Sequence, residues 1–352
     1  MIVAHLDLDA FYAAVEELEN PELREQPLVV GGDPRGRGVV ATANYVARRF
    51  GIHSAMSCAE AIRRCPQAVF VRPRHSLYRE YSQNVWETVR GIVPTVEQTG
   101  MDEGYLDVGE VARDFLAARV VAEAVQPAVR AATSLTCALG VAPCKVVAKV
   151  ASDARKPGGL VVVPAGREAA FLAPLAVRRL PGVGPKAEER LHATGIATIG
   201  ELAALTDADL RRLLPRSVGT MLRDRARGID PRELELDTER ISISVENTFE
   251  RDIADREQLH DELRGMASEV AGALQRRGQV ARTVTTKLRY ADFSIRSRST
   301  SLATGIDSPQ TIGELACQLL DRGLSDRPGA LRLVGVGVSG LADFRQLALD
   351  AV

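Results

Sequence analysis

Two apolar runs in this chain end in carboxylates, and that pairing restricts the fold more than any other feature. The first is Ile2-Val3-Ala4-His5-Leu6-Asp7-Leu8-Asp9-Ala10-Phe11-Tyr12, and the second is Gly100-Met101-Asp102-Glu103-Gly104-Tyr105-Leu106-Asp107-Val108. Each reads as a strand, the second turning over at an acidic tip. Adjacent carboxylates at such a tip repel each other unless something cationic sits between them. If the two strands pair side by side, Asp7, Asp102 and Glu103 converge. Three hard oxygen ligands with open positions suit Mg²⁺, which keeps several waters and takes the rest of its shell from substrate phosphates. Either motif alone is ordinarily a solvated turn. The two together, each closing a hydrophobic strand, point to a metal site.

The distribution of charge adds a partner. The net charge is only −1, yet residues 34–79 carry nine arginines against one acid, Glu60. Residues 276–298 carry seven basic side chains against one acid, Asp292. Segregated basic surfaces on a near-neutral chain are the footprint of a polyanion. The five cysteines (58, 65, 137, 144, 317) match no metal-binding spacing, and their odd number fits a reducing cytoplasm. No apolar run approaches a membrane span, and no basic segment precedes the first strand, so a cytoplasmic protein without a membrane partner is expected. With aromatics at 4%, aliphatic residues must fill the cores.

Taken in order, residues 1–10 are a strand and Ala10 to Glu19 a helix. Short strands follow at 27–32 and 39–42. A helix from Asn44 to Phe50 places Tyr45 and Arg48 on one face, where Thr42, Tyr45 and Arg48 together can present hydroxyl, phenol and guanidinium groups to a phosphate chain. Residues 78–93 are helical, 96–98 strand-like, and 113–132 a long helix that Pro127 should kink or interrupt. A strand at 135–141, a helix at 145–153, the basic loop 154–159 and a strand at 160–163 complete a mixed sheet with helices expected on one face. From Pro164 to Asp230 the pattern is helical only. Within it Gly182-Val183-Gly184-Pro185-Lys186 joins two short helices, a hairpin whose free backbone N–H groups bind phosphate. Residues 231–240 read as a linker. A second α/β unit follows, with strands at 241–248, 282–291, 296–303 and 331–338 and helices at 255–277 and 309–322. Alternation in its second strand sets Arg282, Val284, Thr286, Leu288 and Tyr290 on one side and Thr283, Thr285, Lys287 and Arg289 on the other, a polar face able to follow a nucleic-acid backbone.

These residues carry a resemblance. Asp7-Leu8-Asp9-Ala10-Phe11-Tyr12, Ala41-Thr42-Ala43-Asn44-Tyr45-Val46-Ala47-Arg48, Met101-Asp102-Glu103-Gly104-Tyr105-Leu106-Asp107 and Lys149–Gly159 resemble, in order, four motifs of the Y-family (translesion) DNA polymerases. The likeness spans nearly the whole chain and is greatest to the DinB, or DNA polymerase IV, branch. It implies an α/β (α+β) multidomain fold of the right-hand type. The palm would be 1–10 and 75–163, the fingers 11–74, the thumb 164–230, the linker 231–240, and a four-stranded α/β little finger 241–341, with a tail at 342–352. It implies an enzyme that adds deoxynucleotides to a primer on a DNA template with low fidelity and no proofreading, for damage tolerance, most simply as a monomer. Asp7, Asp102 and Glu103 with the Leu8 carbonyl would hold two Mg²⁺ ions, with Mn²⁺ as a substitute. Thr42, Tyr45, Arg48 and Lys156 match triphosphate-gripping positions, and Tyr12 the gate against a 2′-hydroxyl. Val39, Ala41, Ser54 and Ala55 would roof a loose nascent pair. Gly182, Gly184, Lys186, Lys287 and Arg289 would meet DNA. The tail segment Phe344-Arg345-Gln346-Leu347-Ala348-Leu349 resembles peptides that bind the sliding clamp.

Two departures stand out. The family usually has Ser where this chain has Gly100 and Ala where it has Gly104, and two glycines are expected to loosen the strand without removing a ligand. Two rival readings stay open on the residues alone. One is a haloacid-dehalogenase-like phosphotransferase, whose nucleophile also sits in an Asp-x-Asp strand end, although Phe11 stands where that class wants Thr or Val. The other is a catalytically dead DNA-binding paralogue, against which the intact Asp7, Asp102 and Glu103 argue.

Overall fold

The computed structural model describes residues 1–236 and 240–343. The chain forms two compact units, the first ending at Leu236. The first begins with β1 (Val3–Leu8), α1 (Phe11–Glu19), β2 (Leu28–Gly31), β3 (Val40–Ala43), α2 (Tyr45–Arg48), α3 (Cys58–Arg64) and β4 (Val69–Val71). It continues with α4 (His75–Arg90), β5 (Val96–Gln98), β6 (Glu103–Asp107), α5 (Phe115–Thr133), β7 (Cys137–Ala142), α6 (Lys145–Asp153) and β8 (Leu160–Val162). One sheet has the order β5-β6-β1-β7-β8, with β7 and β8 parallel and the other pairs antiparallel. The two acidic strands are therefore neighbours, as their sequences require, and Asp7 stands opposite Glu103 in the ladder.

Alternation along β1 sorts its side chains. Ala4, Leu6 and Leu8 enter a core with Tyr78 and Trp86 of α4 and Ala118 and Val125 of α5. Val3 and Tyr105 face the opposite way, into a core with Val146 and Val150 of α6. Helices thus cover both faces, where one was expected. The reason is topological. The β7–α6–β8 connection joins parallel neighbours and must cross one face, while α4 and α5 fill the other. At Gly140 of β7 the approach of α6 is so close that a Cβ would lie 2.1 Å from the Ala148 carbonyl oxygen and 2.3 Å from the Ser152 nitrogen. Pro127 does not interrupt α5. Ala118, Ala122, Val125 and Val129 are buried on both sides of it, and that packing outweighs one missing N–H donor.

β2, β3 and β4 form a separate small sheet in the order β3-β2-β4. Asn44 ties it to its surroundings. Its side-chain oxygen accepts from Ala47 N at 2.9 Å, capping α2, and from Leu28 N at 3.1 Å, while its amide donates to Gln26 O and Glu17.

After β8 the first unit is helical, as expected: α7 (Glu168–Leu172), α8 (Pro185–His192), α9 (Ile199–Ala203), α10 (Asp207–Leu213) and α11 (Arg216–Ala226). Capping boxes at Thr198/Glu201 and Thr206/Asp209 start α9 and α10. Residues 231–236, read from sequence as the beginning of the linker, are fastened with Asp230 to α6 and to the sheet edge. Asp230 Oδ2 accepts from Val146 N at 3.0 Å, and the Glu235 N–H donates to Glu97 at 3.0 Å. Lys145 Nζ lies 2.5 Å from that same Glu97 carboxylate and donates to the Glu233 carbonyl at 3.3 Å.

The second unit contains β9 (Ser242–Ile253), α12 (Arg256–Gln275), β10 (Gln279–Tyr290), β11 (Ile295–Ile306), α13 (Pro309–Asp326) and β12 (Leu331–Asp343). Its four strands are antiparallel in the order β11-β10-β12-β9. Val284, Thr286, Leu288 and Tyr290 are buried, and the alternate residues Thr283, Thr285, Lys287 and Arg289 lie on the open face. Arg282 breaks the expected alternation: the ladder shifts register between Ala281 and Thr283, and Arg282 is exposed. β12 runs to Asp343, two residues past the expected end of the little finger at 341. The candidate clamp peptide Gln346–Leu349 lies outside the described residues. No helix among the described residues is long and apolar enough to cross a membrane.

Candidate active site

The β1–β6 ladder builds the site. Asp7 closes β1 opposite Glu103, and the Leu8 N–H donates to the Asp102 carbonyl at 2.8 Å, drawing the acidic turn against the strand end. Two donors from α4 hold that turn from behind. Ser82 Oγ donates to the Met101 carbonyl at 2.6 Å and Trp86 Nε1 donates to the same oxygen at 3.2 Å. Neighbouring atoms occupy the space beside both glycines that flank the acids. A Cβ on Gly104 would meet the Trp86 ring and the Glu97 carbonyl oxygen, both at 2.7 Å, so the indole fills the place of a methyl. A Cβ on Gly100 would lie 3.3 Å from Asp102 Oδ1, so a side chain there would crowd the carboxylate.

Lysines supply the cations that the carboxylates demand. Lys156 Nζ lies 2.8 Å from Asp7 Oδ1 and 2.7 Å from Asp153 Oδ1. Lys149, on α6, ion-pairs with Glu103. Buried His5 sits beside them, with Nδ1 2.8 Å from Ser152 Oγ and Nε2 3.5 Å from Glu103. His5 lies two residues before Asp7 and so on the same face of β1, the face that α6 covers. The titrations follow from these neighbours. Burial raises Asp7, against the pull of Lys156. Burial raises Asp102, and the Glu103 charge adds to it. The His5 ring and the Lys149 ammonium hold Glu103 down to about 2. Burial alone would lower Lys156, but Asp7 and Asp153 more than offset it and leave it raised.

Among the described residues, no group of three or more His, Cys, Asp or Glu side chains closes on one point as a finished metal centre. Two of the three candidate ligands are instead engaged by ammonium groups. The donor set nevertheless fits a hard divalent ion: it is all oxygen, it comes from two paired strands, and burial disfavours the unaccompanied charge on two of its members.

Asp9, two residues after Asp7, has a different occupation. It is buried and accepts from Thr136 Oγ1 at 2.8 Å, from Gly158 N at 2.8 Å and from the Tyr45 hydroxyl at 3.2 Å. Those three donors engage both carboxylate oxygens and yoke α2 to the loop that carries Lys156. The Arg48 guanidinium stacks 4.9 Å from the Tyr45 ring centre, and its Nε donates to Ala43 O at 2.9 Å. Thr42, half-buried in β3, pairs with Val30. Burial, with the Asp9 charge, raises the Tyr45 phenol. Tyr12, in the first turn of α1, stacks on Tyr78 with ring centres 4.2 Å apart and planes 16° apart. Burial and then the Asp102 charge raise its phenol.

The remaining candidate residues of the first unit make no hydrogen bond or ion pair with this cluster among the described residues. Gly182, Gly184 and Lys186 are exposed; Gly182 has φ +104°, and Gly184 immediately precedes α8, with Pro185 in its first turn. Arg225 Nη1 donates to Pro181 O at 3.0 Å and holds that hairpin. In the second unit Lys287 is 2.8 Å from a Glu246 oxygen, and the Arg289 guanidinium lies 5.1 Å from the Phe293 ring centre. Sequence reasoning had missed Ser82, Trp86, His5 and the partners of Lys149. It had also passed over Glu16, a carboxylate whose side chain is only 3% exposed. Its sequence neighbours do not mark it, since its partners Arg74 and Tyr78 lie 58 and 62 residues further along the chain.

Comparison with known proteins agrees with this geometry. Residues 6–153 match the model of the impB/mucB/samB family, residues 240–349 the model of that family's C-terminal domain, and residues 178–230 the model of the DNA polymerase-iota thumb domain. The chain is 43% identical over 352 residues to DNA polymerase IV of Streptomyces coelicolor, covering 99% of this chain and 73% of that one. It is 44% identical over 340 residues to DNA polymerase IV of Halorhodospira halophila, covering 96% and 95%. Among solved structures it is similar to a Y-family DNA polymerase chimera of Dbh and Dpo4, at 26% identity and a TM-score of 0.88, over 97% of this chain and all of that one. It is also similar to an insertion ternary complex of Dbh DNA polymerase, at 26% identity and a TM-score of 0.69, with the same coverage.

Proposed function

The chain belongs to the Y family of DNA polymerases and is a DNA-directed DNA polymerase of the DNA polymerase IV branch, and on that premise we propose that it extends primers by two-metal phosphoryl transfer at the β1–β6 strand ends, with low fidelity and without proofreading, in the tolerance of DNA damage. The observation that carries the reading is the register of Asp7 opposite Glu103 with Asp102 one residue before it. Asp7, Asp102, Glu103 and the Leu8 carbonyl would hold the ions, Mg²⁺ or Mn²⁺. Bound there, such ions acidify a primer 3′-hydroxyl and neutralise the charge of a leaving pyrophosphate.

The chain's own residues do the positioning on which phosphoryl transfer depends. Arg48, Tyr45, Thr42 and Lys156, from α2, β3 and the 154–159 loop, are assigned to the triphosphate. Asp9 keeps Tyr45 and Gly158 of that loop in fixed relation. A guanidinium and an ammonium grip phosphate by charge-assisted hydrogen bonds. Tyr12, stacked on Tyr78, is assigned to the sugar of such a nucleotide. Small side chains suit a permissive pocket: Ala55 N donates to Val40 O at 2.9 Å, bringing Ser54 and Ala55 beside Val39 and Ala41. The hairpin at 182–186 and the open face carrying Lys287 and Arg289 are assigned to primer–template DNA.

The antiparallel neighbours of β1 and the family membership remove the dehalogenase-like alternative. A primer-extension assay with and without Mg²⁺ tests the proposal. Metal-dependent, template-directed addition is expected. DNA binding without any extension would establish the inactive-paralogue reading instead.

A further inference from the structure

Glu16 is a buried carboxylate on the packed face of α1, among Phe11, Ala13 and Val15. Burying a charge there is costly unless it is paired and fully hydrogen-bonded. It is both. Arg74, at the start of α4, reaches it with Nε at 3.0 Å and Nη2 at 2.5 Å. The Tyr78 hydroxyl donates to Glu16 Oε1 at 2.5 Å. Tyr78 is thereby held at both ends, its backbone N–H bonding to Arg74 O at 3.1 Å. Its ring is the floor on which Tyr12 lies. His75 closes the edge of both rings, with centres 5.9 Å from Tyr12 and 6.1 Å from Tyr78. The Tyr12 hydroxyl has no hydrogen-bond partner among the described residues. The Tyr12 ring is held by its ring contacts, of which the stacked Tyr78 beneath is the nearest, with Phe11 at 5.5 Å.

We propose that Arg74 and Glu16 are positioning residues for sugar selection: acting through the Tyr78 hydroxyl, they set the height of the Tyr12 ring and so the stringency with which the site rejects a 2′-hydroxyl. The proposal rests on the reading of Tyr12 as the sugar gate. Glu16 is buried while the Arg74 side chain is 47% exposed, and an apolar side chain often serves such a buried position equally well, so stability alone does not account for a carboxylate in this place. A bidentate guanidinium and a phenol on one carboxylate do fix a direction as well as a contact.

The experiment measures kcat and KM for matched ribo- and deoxynucleotides on Tyr12→Ala, Tyr78→Phe, Glu16→Gln and the parent protein, with a melting curve for each. Tyr78→Phe removes one hydroxyl and keeps the ring. It is expected to lower discrimination against ribonucleotides by about threefold to tenfold, the range of one aromatic stacking contact. The change should appear in ribonucleotide kcat/KM with deoxynucleotide KM nearly constant. Glu16→Gln should act in the same direction, and Glu16→Gln with Tyr78→Phe should add little to either alone. A residue serving only the fold would depress both substrates equally along with the melting temperature. If Tyr12→Ala leaves discrimination unchanged, the gate reading itself fails. If Tyr12→Ala abolishes discrimination while Tyr78→Phe and Glu16→Gln do not move it, the Arg74–Glu16 proposal is overturned and the gate stands. Should Glu16→Gln fail to fold, Tyr78→Phe decides the matter.

Discussion

Replacing Lys145 by Met removes a single charge and should unfold the first unit at a markedly lower temperature. The Lys145 side chain is 3% exposed and that of Glu97 10%, so neither partner has water to fall back on. In the parent, one Glu97 carboxylate receives the ammonium at 2.5 Å and the Glu235 N–H at 3.0 Å, while Lys145 also donates to Glu233 O at 3.3 Å and lies 4.7 Å from the Tyr105 ring centre. Met fills similar volume but leaves Glu97 buried and uncompensated. Breaking a buried pair from one side costs about 3–5 kcal/mol. At about 2–4 °C per kcal/mol for a unit of this length, the melting temperature should fall by about 6–20 °C. The assay is thermal unfolding of Lys145→Met, Glu97→Leu and the double variant, read as a double-mutant cycle. The double variant should recover most of the loss, because two apolar side chains restore a neutral interior. A shift of less than about 3 °C for Lys145→Met, or additive single losses, would refute the claim that this pair binds residues 230–236 to the sheet.

Three further outcomes follow from the geometry. Asp102→Asn should abolish nucleotide addition with DNA affinity intact; because burial raises Asp102 in the folded state, its ionised form weakens the fold above the unfolded carboxylate range, so the variant should melt higher at pH 7 and lose that advantage below about pH 3.8. Glu246→Gln releases Lys287 from its ion pair, so DNA binding should tighten and the slope of log K against log salt should steepen by up to about one unit, whereas Lys287→Ala with Arg289→Ala should flatten it; fluorescence anisotropy over a salt series reads both. Deleting residues 344–352 should leave unassisted extension alone and remove stimulation by a sliding clamp, and stimulation that survives the deletion would discard the Gln346–Leu349 assignment.

The parts of this fold that the chain announces are those decided locally. Two-residue alternation marks β1 and β10, the Thr198/Glu201 and Thr206/Asp209 boxes mark helix starts, and acids at two strand ends mark the catalytic edge. What is not announced is decided across long separations. Lys149 looks like one of two lysines four apart on a helix; only the crossing of α6 over the sheet brings it to Glu103, and that crossing depends on an absent side chain at Gly140. Glu16 looks like the solvated side of an amphipathic helix until Arg74 arrives from 58 residues away. Arg282 follows the alternation on paper, but a bulge turns it outward. Asp7 and Asp9 are alike in sequence, and their separate duties appear only when Thr136, Gly158 and Tyr45 are seen to occupy one and Lys156 the other.

The indole packed against Gly104 has a consequence for anyone engineering this chain. Gly104→Ala would ordinarily be counted a repair, since glycine in a strand loses more conformational freedom on folding than alanine does. Here the methyl would collide with a fully buried Trp86 ring and with the Glu97 backbone, each 2.7 Å from its position. The indole cannot retreat without giving up its bond to the Met101 carbonyl, which steadies the turn bearing Asp102. The indole of α4 occupies the space that a strand side chain would fill, so in this chain a methyl at 104 is accommodated only with a smaller side chain at 86.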